Sequence, residues 1–316
     1  MKKHAYLIMA HGSYEQLGFL ISLLDHEKND IFLHIDKKSV FTELDRKKLQ
    51  EKVEKSQLIF VPRVAVYWGG YSQVEAEMSL FKTAYQYGDY CFYHLLSGID
   101  LPLHSQETIH DFFEQHLDKI FLTMMTLEGD KENIDRLKYY HIFGRLTPRT
   151  FPGLFGKGFF KVYRHTEVFL QKLLGVNRLK RENLTPIKAA QWGSFPQDII
   201  QLVVASEKQI EQIFHRSFIP DEVFIPYLLQ KHNLLGRLFD SRLSHDRKED
   251  FQGNLRYINW WDGNPYTWTS SDEDKRALLD AREKGYLFSR KFNVESDDNM
   301  KNFILKVSRI RNKVFE

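Results

Sequence analysis

The chain has 316 residues, of which 42% are hydrophobic, 28% are charged and 14% are aromatic, and its net charge is +3. This composition is typical of a soluble globular protein with a substantial core. The charge is too small to indicate a nucleic-acid partner, and no segment approaches the roughly 20 apolar residues that a membrane-spanning helix needs. The lone cysteine, Cys91, excludes an internal disulfide and suits a reducing compartment, so we expect a cytoplasmic protein.

The first part of the chain alternates apolar strands with helices. Apolar runs predict strands over residues 5–10, 31–35, 58–61 and 90–96. Apolar residues at helical spacing predict helices over residues 15–26, 43–55, 73–87 and 106–116. Strands that are apolar throughout and joined by helices predict a parallel sheet covered on both faces. Ligands bind outside the carboxyl ends of such strands, and His11 and Asp36 lie at these ends.

The rest of the chain has a less regular pattern. It predicts strands over 119–123 and 255–260, a turn over 192–196, helices over 199–215, 272–284 and 295–307, and a core segment over 287–292. No internal repeat or low-complexity linker divides the sequence. We therefore expect a single domain over residues 1–316.

One acidic pair, in Pro220-Asp221-Glu222, opens an apolar run. A carboxylate there would lie at a helix start beside apolar side chains, where burial raises its pKa and the helix N-terminus lowers it. A carboxylate held between these effects can act as a general base. The competing interpretation is an ordinary helix start, with proline and acids in the first turn.

A basic, aromatic segment covers residues 136–164. It holds seven Lys or Arg and eight Phe or Tyr residues, and no Asp or Glu. One interpretation is a surface for an anionic or membrane-borne partner. The other is a basic surface excursion without a partner.

Motifs for phosphate loops, dinucleotides and zinc are absent from the sequence. Asp36 is followed by two lysines, which would repel a divalent cation. The triplet Asp272-Glu273-Asp274 follows a serine, and acids in a first helical turn suit the helix dipole. We therefore predict no metal site.

Seven segments together resemble the core-2/I-branching β-1,6-N-acetylglucosaminyltransferase family (glycosyltransferase family 14), in its bacterial form. They read, in family order, LHIDKKS (33–39), VYWGGYS (66–72), SGIDLPL (97–103), WGS (192–194), PDE (220–222), LRYINW (255–260) and FSRKF (288–292). The cysteines of the animal members are missing, which suits a cytosolic bacterial enzyme. The interval between Arg256 and Lys291 is longer than in the animal enzymes.

The resemblance implies an α/β, GT-A-type fold with a mostly parallel central sheet and helices on both faces. It implies a nucleotide-binding half over about residues 1–125 and an acceptor-binding, catalytic half over about 126–316. The implied activity is inverting, metal-independent transfer of a sugar, GlcNAc in the first instance, from a UDP-sugar to a saccharide hydroxyl in cell-surface or exopolysaccharide synthesis. A lipid-linked acceptor would bring the enzyme to the anionic inner face of the cell membrane.

Carried over by position, Glu222 would be the catalytic base. Arg256 and Lys291 would hold the UDP diphosphate in place of a metal, so that no cofactor is required. Asp36 would contact the uridine, with Met9 beside it. Further candidates are His11 for the nucleotide and, for the substrates, Trp68, Asp100, Trp192, Ser194 and Arg290.

Two alternatives remain open at this point. The chain could be a non-catalytic protein that binds nucleotide sugars or glycans and keeps the fold. The same fold could also use another UDP-sugar, such as xylose, glucose, galactose or glucuronic acid.

Overall fold

A computed structural model describes residues 2–142, 154–243, 248, 250–263 and 265–310. The first half contains β1 (Lys3–Ala10), α1 (Tyr14–Leu24), β2 (Asn29–Ile35), α2 (Glu43–Gln50), β3 (Gln57–Phe60), α3 (Ser72–Tyr87), β4 (Tyr90–Ser97), β5 (Asp100–Pro102) and α4 (Gln106–Glu114). These elements follow the predicted order closely. This agreement follows from the sequence pattern, because the strands are apolar throughout and the helices carry apolar residues at helical spacing.

The second half has a less regular order of helices and strands. It contains β6 (Met124–Thr126), α5 (Lys131–Lys138), α6 (Leu154–Leu173), α7 (Arg178–Arg181), β7 (Ile187–Ala189), β8 (Ser194–Pro196), α8 (Gln197–Ala205), α9 (Glu207–Phe214), α10 (Phe224–Lys231), β9 (Arg256–Ile258), α11 (Asp272–Glu283), β10 (Phe288–Arg290) and α12 (Asp298–Val307). Short 3-10 turns lie at Pro220–Glu222 and Leu235–Arg237.

The central sheet has five strands in the order β3-β2-β1-β4-β8. The first four are parallel, and β8 joins the edge antiparallel to β4. Side chains alternate between the two faces, so Leu7 packs in one hydrophobic cluster with α3, α8 and α10. Its neighbours Tyr6 and Ile8 pack in the other cluster with α1, α4 and α12. The mostly parallel α/β sheet with helices on both faces is therefore confirmed.

Three predicted elements were wrong, each because the backbone hydrogen bonds take another course. Residues 119–123 form only isolated bridges, since Ile120 and Phe121 donate to different segments. The predicted turn at 192–196 contains β8, and Pro196 is tolerated there because β8 is an edge strand. The predicted helix 199–215 is two helices that meet at Ser206.

A buried arginine connects this sheet to a second sheet, β5-β10-β9. Arg256, at the start of β9, is 1% exposed. Its guanidinium donates to the carbonyl of Leu95 in β4 (3.1 Å), to the carbonyl of Gly193 before β8 (2.8 Å) and to the carbonyl of Asn254. Burial lowers the pKa of Arg256 to about 10, so the side chain stays charged at neutral pH.

Replacing Arg256 with leucine should lower the free energy of unfolding by more than about 3 kcal/mol, because several buried carbonyls lose their donor. Urea unfolding followed by circular dichroism measures the loss. Arg276→Leu, on the exposed face of α11, is the matched control and should change stability by less than about 0.5 kcal/mol. Equal stabilities of the two variants would contradict the assigned role of Arg256.

Candidate active site

A cavity of about 500 Å³ opens at the carboxyl ends of β1, β2 and β4. Strands are added on both sides of β1, so the strand order reverses at β1. Open α/β sheets bind ligands at such a point. Six of the residues predicted from sequence line it: Met9, His11, Asp36, Trp68, Trp192 and Arg290. The structure therefore brings together segments that are up to 281 positions apart in the chain, from Met9 to Arg290.

Asp36 holds the loop at the end of β2. Its Oδ1 accepts hydrogen bonds from the backbone N–H groups of Lys38 (2.9 Å) and Val66 (3.3 Å). The neighbouring His34 accepts from the N–H of Val64 through Nε2 (2.9 Å). Burial lowers the pKa of His34 to about 4, so its ring is neutral at pH 7 and carries its proton on Nδ1. This side of the cavity thus offers fixed polar groups.

Arg290 supplies a cation to the cavity. Its guanidinium lies 4.5 Å from the ring centre of Trp192, and its Nε is 3.7 Å from Oδ1 of Asp100. Nε and Nη1 are buried and have no hydrogen-bond partner among the described residues. Burial lowers the pKa of Arg290, while the charge of Asp100 opposes that effect. A buried cation with unused donors is expected to receive an anionic ligand.

Arg256 and Ser194 lie beneath the cavity instead of in its lining. The Ser194 hydroxyl is buried between Nη2 of Arg256 (3.1 Å) and Nδ1 of His94 (2.8 Å). Because the guanidinium of Arg256 is committed to backbone carbonyls, its position argues against the predicted diphosphate contact and favours a structural role. Lys291 is half-buried next to Arg290 and does not line the cavity as the described residues define it.

Glu222 lies beside the cavity, not in the lining that the described residues form. Its side chain is 31% exposed, and its Oε2 is 3.3 Å from Nζ of Lys188. Ile219, just before the Pro-Asp-Glu turn, has φ of 54°, a left-handed conformation that is strained for a β-branched residue. The N–H of Ile219 donates to the carbonyl of Gly69 (2.8 Å), which fixes the turn against the loop that carries Trp68.

Two buried carboxyl groups lie behind this junction. Oδ2 of Asp221 accepts from Nε2 of Gln73 (2.9 Å), and Oε1 of Glu77 accepts from Nε2 of Gln191 (2.8 Å). Burial raises the pKa of Asp221 to about 8, with a further contribution from the charge of Glu222. Burial also raises the pKa of Glu77 well above its usual range, and Asp221 adds to the effect. Both groups therefore favour the neutral form at pH 7.

Sequence reasoning missed the two glutamines and Lys38 in the cavity lining. Gln73 and Gln191 adjoin the predicted segments 66–72 and 192–194, so their position next to a motif was an available signal. Each glutamine donates to a buried acid, which fixes the orientation of its amide. Lys38 lies 4.6 Å from the ring centre of Tyr67 and adds a second cation at the cavity.

In the part of the chain that the structure describes, no group of three or more His, Cys, Asp or Glu side chains could hold a metal ion. Asp272-Glu273-Asp274 forms the first turn of α11, as its sequence predicted. Asp274 accepts from the N–H (2.7 Å) and hydroxyl (2.6 Å) of Thr269, so it organises the preceding loop.

Comparison with known families assigns this cleft-bearing α/β protein to a class of enzymes. The family model described as Core-2/I-Branching enzyme matches residues 4–273. The match covers most of the chain, and the protein belongs to this family.

Similar curated proteins are xylosyltransferases. The chain is 26% identical over 129 residues to a xylosyltransferase of Ciona intestinalis, and 26% identical over 141 residues to xylosyltransferase 2 of Mus musculus. The alignments cover 40% and 42% of this chain but only 15% and 16% of those proteins. The chain thus corresponds to a small part of these relatives.

Similar solved structures include mouse xyloside xylosyltransferase 1 in its apo form, with 12% identity and a TM-score of 0.30 over 74% of this chain and 84% of that one. Another is the S. aureus TarS 1–349 structure in complex with UDP, with 14% identity and a TM-score of 0.26 over 40% and 35% of the two chains. Such low TM-scores do not by themselves establish a common fold, so the family assignment rests on the sequence match.

The buried Asp221 predicts a specific dependence of stability on pH. Its pKa is raised from 3.8 to about 8 on folding, so its contribution is complete below about pH 4 and is lost as the pH rises toward 8. Asp221→Asn removes this titration and retains an oxygen that can accept from Gln73. At pH 8.5 the variant should be more stable than the wild type by at least about 2 kcal/mol, with a smaller difference at pH 5.

Urea unfolding at pH 5, 6.5 and 8.5 tests this dependence. Asp118→Asn is the matched control, because the Asp118 side chain is 72% exposed. An Asp221→Asn variant whose stability falls with pH as steeply as that of the wild type would contradict the buried, neutral carboxyl.

Proposed function

We propose that the protein is an inverting glycosyltransferase that moves a sugar from a UDP-sugar to a saccharide hydroxyl. The observation that carries the proposal is Arg290, a cation that lines the strand-end cavity and whose Nε and Nη1 have no hydrogen-bond partner among the described residues, although Nε lies 3.7 Å from Oδ1 of Asp100. Family membership supports the reaction class. A diphosphate is an anion that matches such donors in charge and geometry.

The donor sugar that we propose is GlcNAc, with xylose as the alternative that the xylosyltransferase relatives suggest. The acceptor is a saccharide, carried on a lipid at the cytoplasmic face of the membrane, in cell-surface or exopolysaccharide synthesis. Asp36 and Met9 would contact the nucleotide at the ends of β2 and β1, where both line the cavity.

Glu222 is the proposed base. A sugar hydroxyl is a poor nucleophile, and a carboxylate that removes its proton as the new bond forms contributes about 10²–10⁴-fold. Oε2 of Glu222 lies 3.3 Å from Nζ of Lys188, so a charged side chain already approaches this carboxylate. The preceding residue, Asp221, accepts a hydrogen bond from Gln73 of the cavity lining, so the turn that carries Glu222 is attached to the cavity wall.

Fixed cations would meet the charge that develops on the departing diphosphate. Arg290 and Lys38 line the cavity, and Lys291 follows Arg290 directly. In this proposal these cations take the place of a divalent metal.

The second candidate function is a non-catalytic protein that binds nucleotide sugars. The observation that favours it is that Glu222 is not part of the lining formed by the described residues and is ion-paired with Lys188. Release of UDP from UDP-GlcNAc or UDP-xylose, measured with and without a saccharide acceptor, separates the two candidates. Binding without any release would support the non-catalytic function.

Glu222→Gln should lower turnover at least about 10²-fold and leave the affinity for the UDP-sugar nearly unchanged, because only the proton acceptor is lost. Steady-state UDP release and equilibrium titration measure the two quantities. Glu207→Gln is the matched control, since Glu207 also forms an ion pair with a lysine, Lys82, at 2.9 Å. Near wild-type turnover of Glu222→Gln would remove Glu222 from the role of base.

Arg290→Gln should raise the KM for the UDP-sugar by about tenfold or more, the effect of losing a charge-assisted hydrogen bond. The fixed cations also predict that EDTA leaves the wild-type rate unchanged. Initial rates across UDP-sugar concentrations, with and without EDTA, test both statements.

Arg276→Gln, on the exposed face of α11, is the control for Arg290→Gln. Loss of activity in EDTA that manganese restores would overturn the fixed-cation proposal. An unchanged KM in Arg290→Gln would instead remove that residue from the diphosphate site.

A further inference from the structure

The inward face of α6 is polar and firmly bonded to the protein. Glu167 accepts hydrogen bonds from the N–H of Ile142 (2.8 Å) and the hydroxyl of Tyr163 (2.6 Å). One turn later, Gln171 accepts from the N–H of Tyr140 (2.7 Å) and donates to its carbonyl (2.8 Å). Polar hydrogen bonds thus attach the inward face of α6 to the protein. The large apolar residues of the helix lie on another face.

The apolar residues of α6 point outward. Six large apolar side chains, each between 53% and 79% exposed, lie on or directly after this helix: Phe159, Val162, Phe169, Leu170, Leu173 and Leu174. At helical spacing, the five from Phe159 to Leu173 fall within an arc of about 100°. Surface helices ordinarily turn such a stripe toward the core, and exposed patches of this kind mark interaction sites. We refer to these six residues as the α6 stripe.

The charge around the α6 stripe is positive. Residues 154–181 contain seven Lys or Arg and one Glu; among them Arg178 is buried, and Arg164 forms an ion pair with the buried Glu167. The whole chain has a net charge of only +3, so the rest of the protein is net acidic. Lys161 and Lys172 are exposed and follow one edge of the stripe at helical spacing, and Lys172 also lies 3.3 Å from Oδ2 of Asp135. An occupant of this face must therefore be apolar at its centre and anionic at its edge.

We infer that the α6 stripe binds the surface of an anionic lipid bilayer, with its apolar side chains at the acyl boundary and Lys161 and Lys172 among the headgroup phosphates. A helix with one apolar face and a basic flank is the form that lies in the plane of such an interface. None of the helices that the structure describes is both long and apolar enough to cross a bilayer.

This surface overlaps the one predicted from sequence at residues 136–164, which contains Phe159, Lys161 and Val162, and it extends beyond that segment. Residues 143–153 of that segment lie outside the described part of the chain. Within it, Tyr139 is buried and Tyr163 bonds inward to Glu167. From Phe159 onward, the exposed apolar side chains continue to Leu174, which lies beyond the end of the segment.

One aromatic side chain separates α6 from the cavity. The Phe218 ring is 5.2 Å from the guanidinium carbon of Arg164 in α6 and 5.8 Å from the Trp68 ring on the cavity side. A bilayer on the outward α6 stripe would therefore be separated from the cavity by α6 and the Phe218 ring. The delivery of a lipid-linked acceptor to that cavity rests on the proposed function, whereas the lipid contact itself does not.

Co-sedimentation with lipid vesicles tests the contact. Wild-type protein should sediment with vesicles of phosphatidylcholine and phosphatidylglycerol at low salt, and less with vesicles of phosphatidylcholine alone. The double variant Phe169→Ser/Leu173→Ser should partition at least about tenfold more weakly, because two anchoring side chains are lost. Lys161→Gln/Lys172→Gln should remove most of the preference for anionic vesicles and most of the salt sensitivity.

Leu44→Ser/Leu117→Ser is the matched control, since both leucines are more than half exposed elsewhere on the surface. It should bind vesicles as the wild type does. Circular dichroism melting of each variant checks folding. Glu222→Gln should also bind vesicles normally, so a failure of the proposed catalysis leaves this result intact.

Wild-type protein that stays in the supernatant with anionic vesicles at low salt would overturn the inference. So would equal binding by the wild type and Phe169→Ser/Leu173→Ser. If the wild type binds no vesicles but is a dimer by light scattering, and Phe169→Ser/Leu173→Ser is a monomer, the stripe is an interface between two copies instead.

Discussion

The guanidinium of Arg256 is the constraint on which the site depends, because it joins the two sheets by hydrogen bonds to their backbone. Its carbonyl partners lie in β4 and just before β8, while Arg256 itself begins β9. Strand β10 pairs with β9 in a register that places Arg290 opposite Ile258. One buried cation therefore fixes the strand that presents a second cation to the cavity. The first stabilises the fold, and the second is available to a ligand.

The buried acids and the cavity cation are compatible because the acids favour the neutral form. An ionised Glu77 or Asp221 directly behind the cavity would repel an anionic ligand through a low-dielectric medium. Burial raises the pKa of both groups, so this repulsion is small near neutral pH. The same burial makes their hydrogen bonds to Gln73 and Gln191 strong positional restraints.

The sequence alone was sufficient where one physical rule decided the outcome. Apolar strands predicted the parallel sheet, strand ends predicted that His11 and Asp36 would lie where ligands bind, and the family resemblance implied Met9; all three residues line the cavity. The sequence was insufficient where the same residue pattern is compatible with either a buried or an exposed position. Arg256 and Arg290 are both strand-end cations, and only the packing of the sheets determines which one is committed to carbonyls. Likewise, α6 was not predicted from sequence, and the helical spacing of its apolar residues does not determine whether they face the core or the solvent.

The hydrogen bond between Ile219 and Gly69 couples two parts of the site. It joins the loop that carries Trp68 to the turn that carries Glu222. A larger residue does not fit at position 69, because its Cβ would lie 2.7 Å from the Phe218 ring. A displacement of the loop would therefore also displace the turn. Under the proposed function, such a displacement would move Glu222 out of line with the donor, and a water molecule in the cavity would then have no base to activate it.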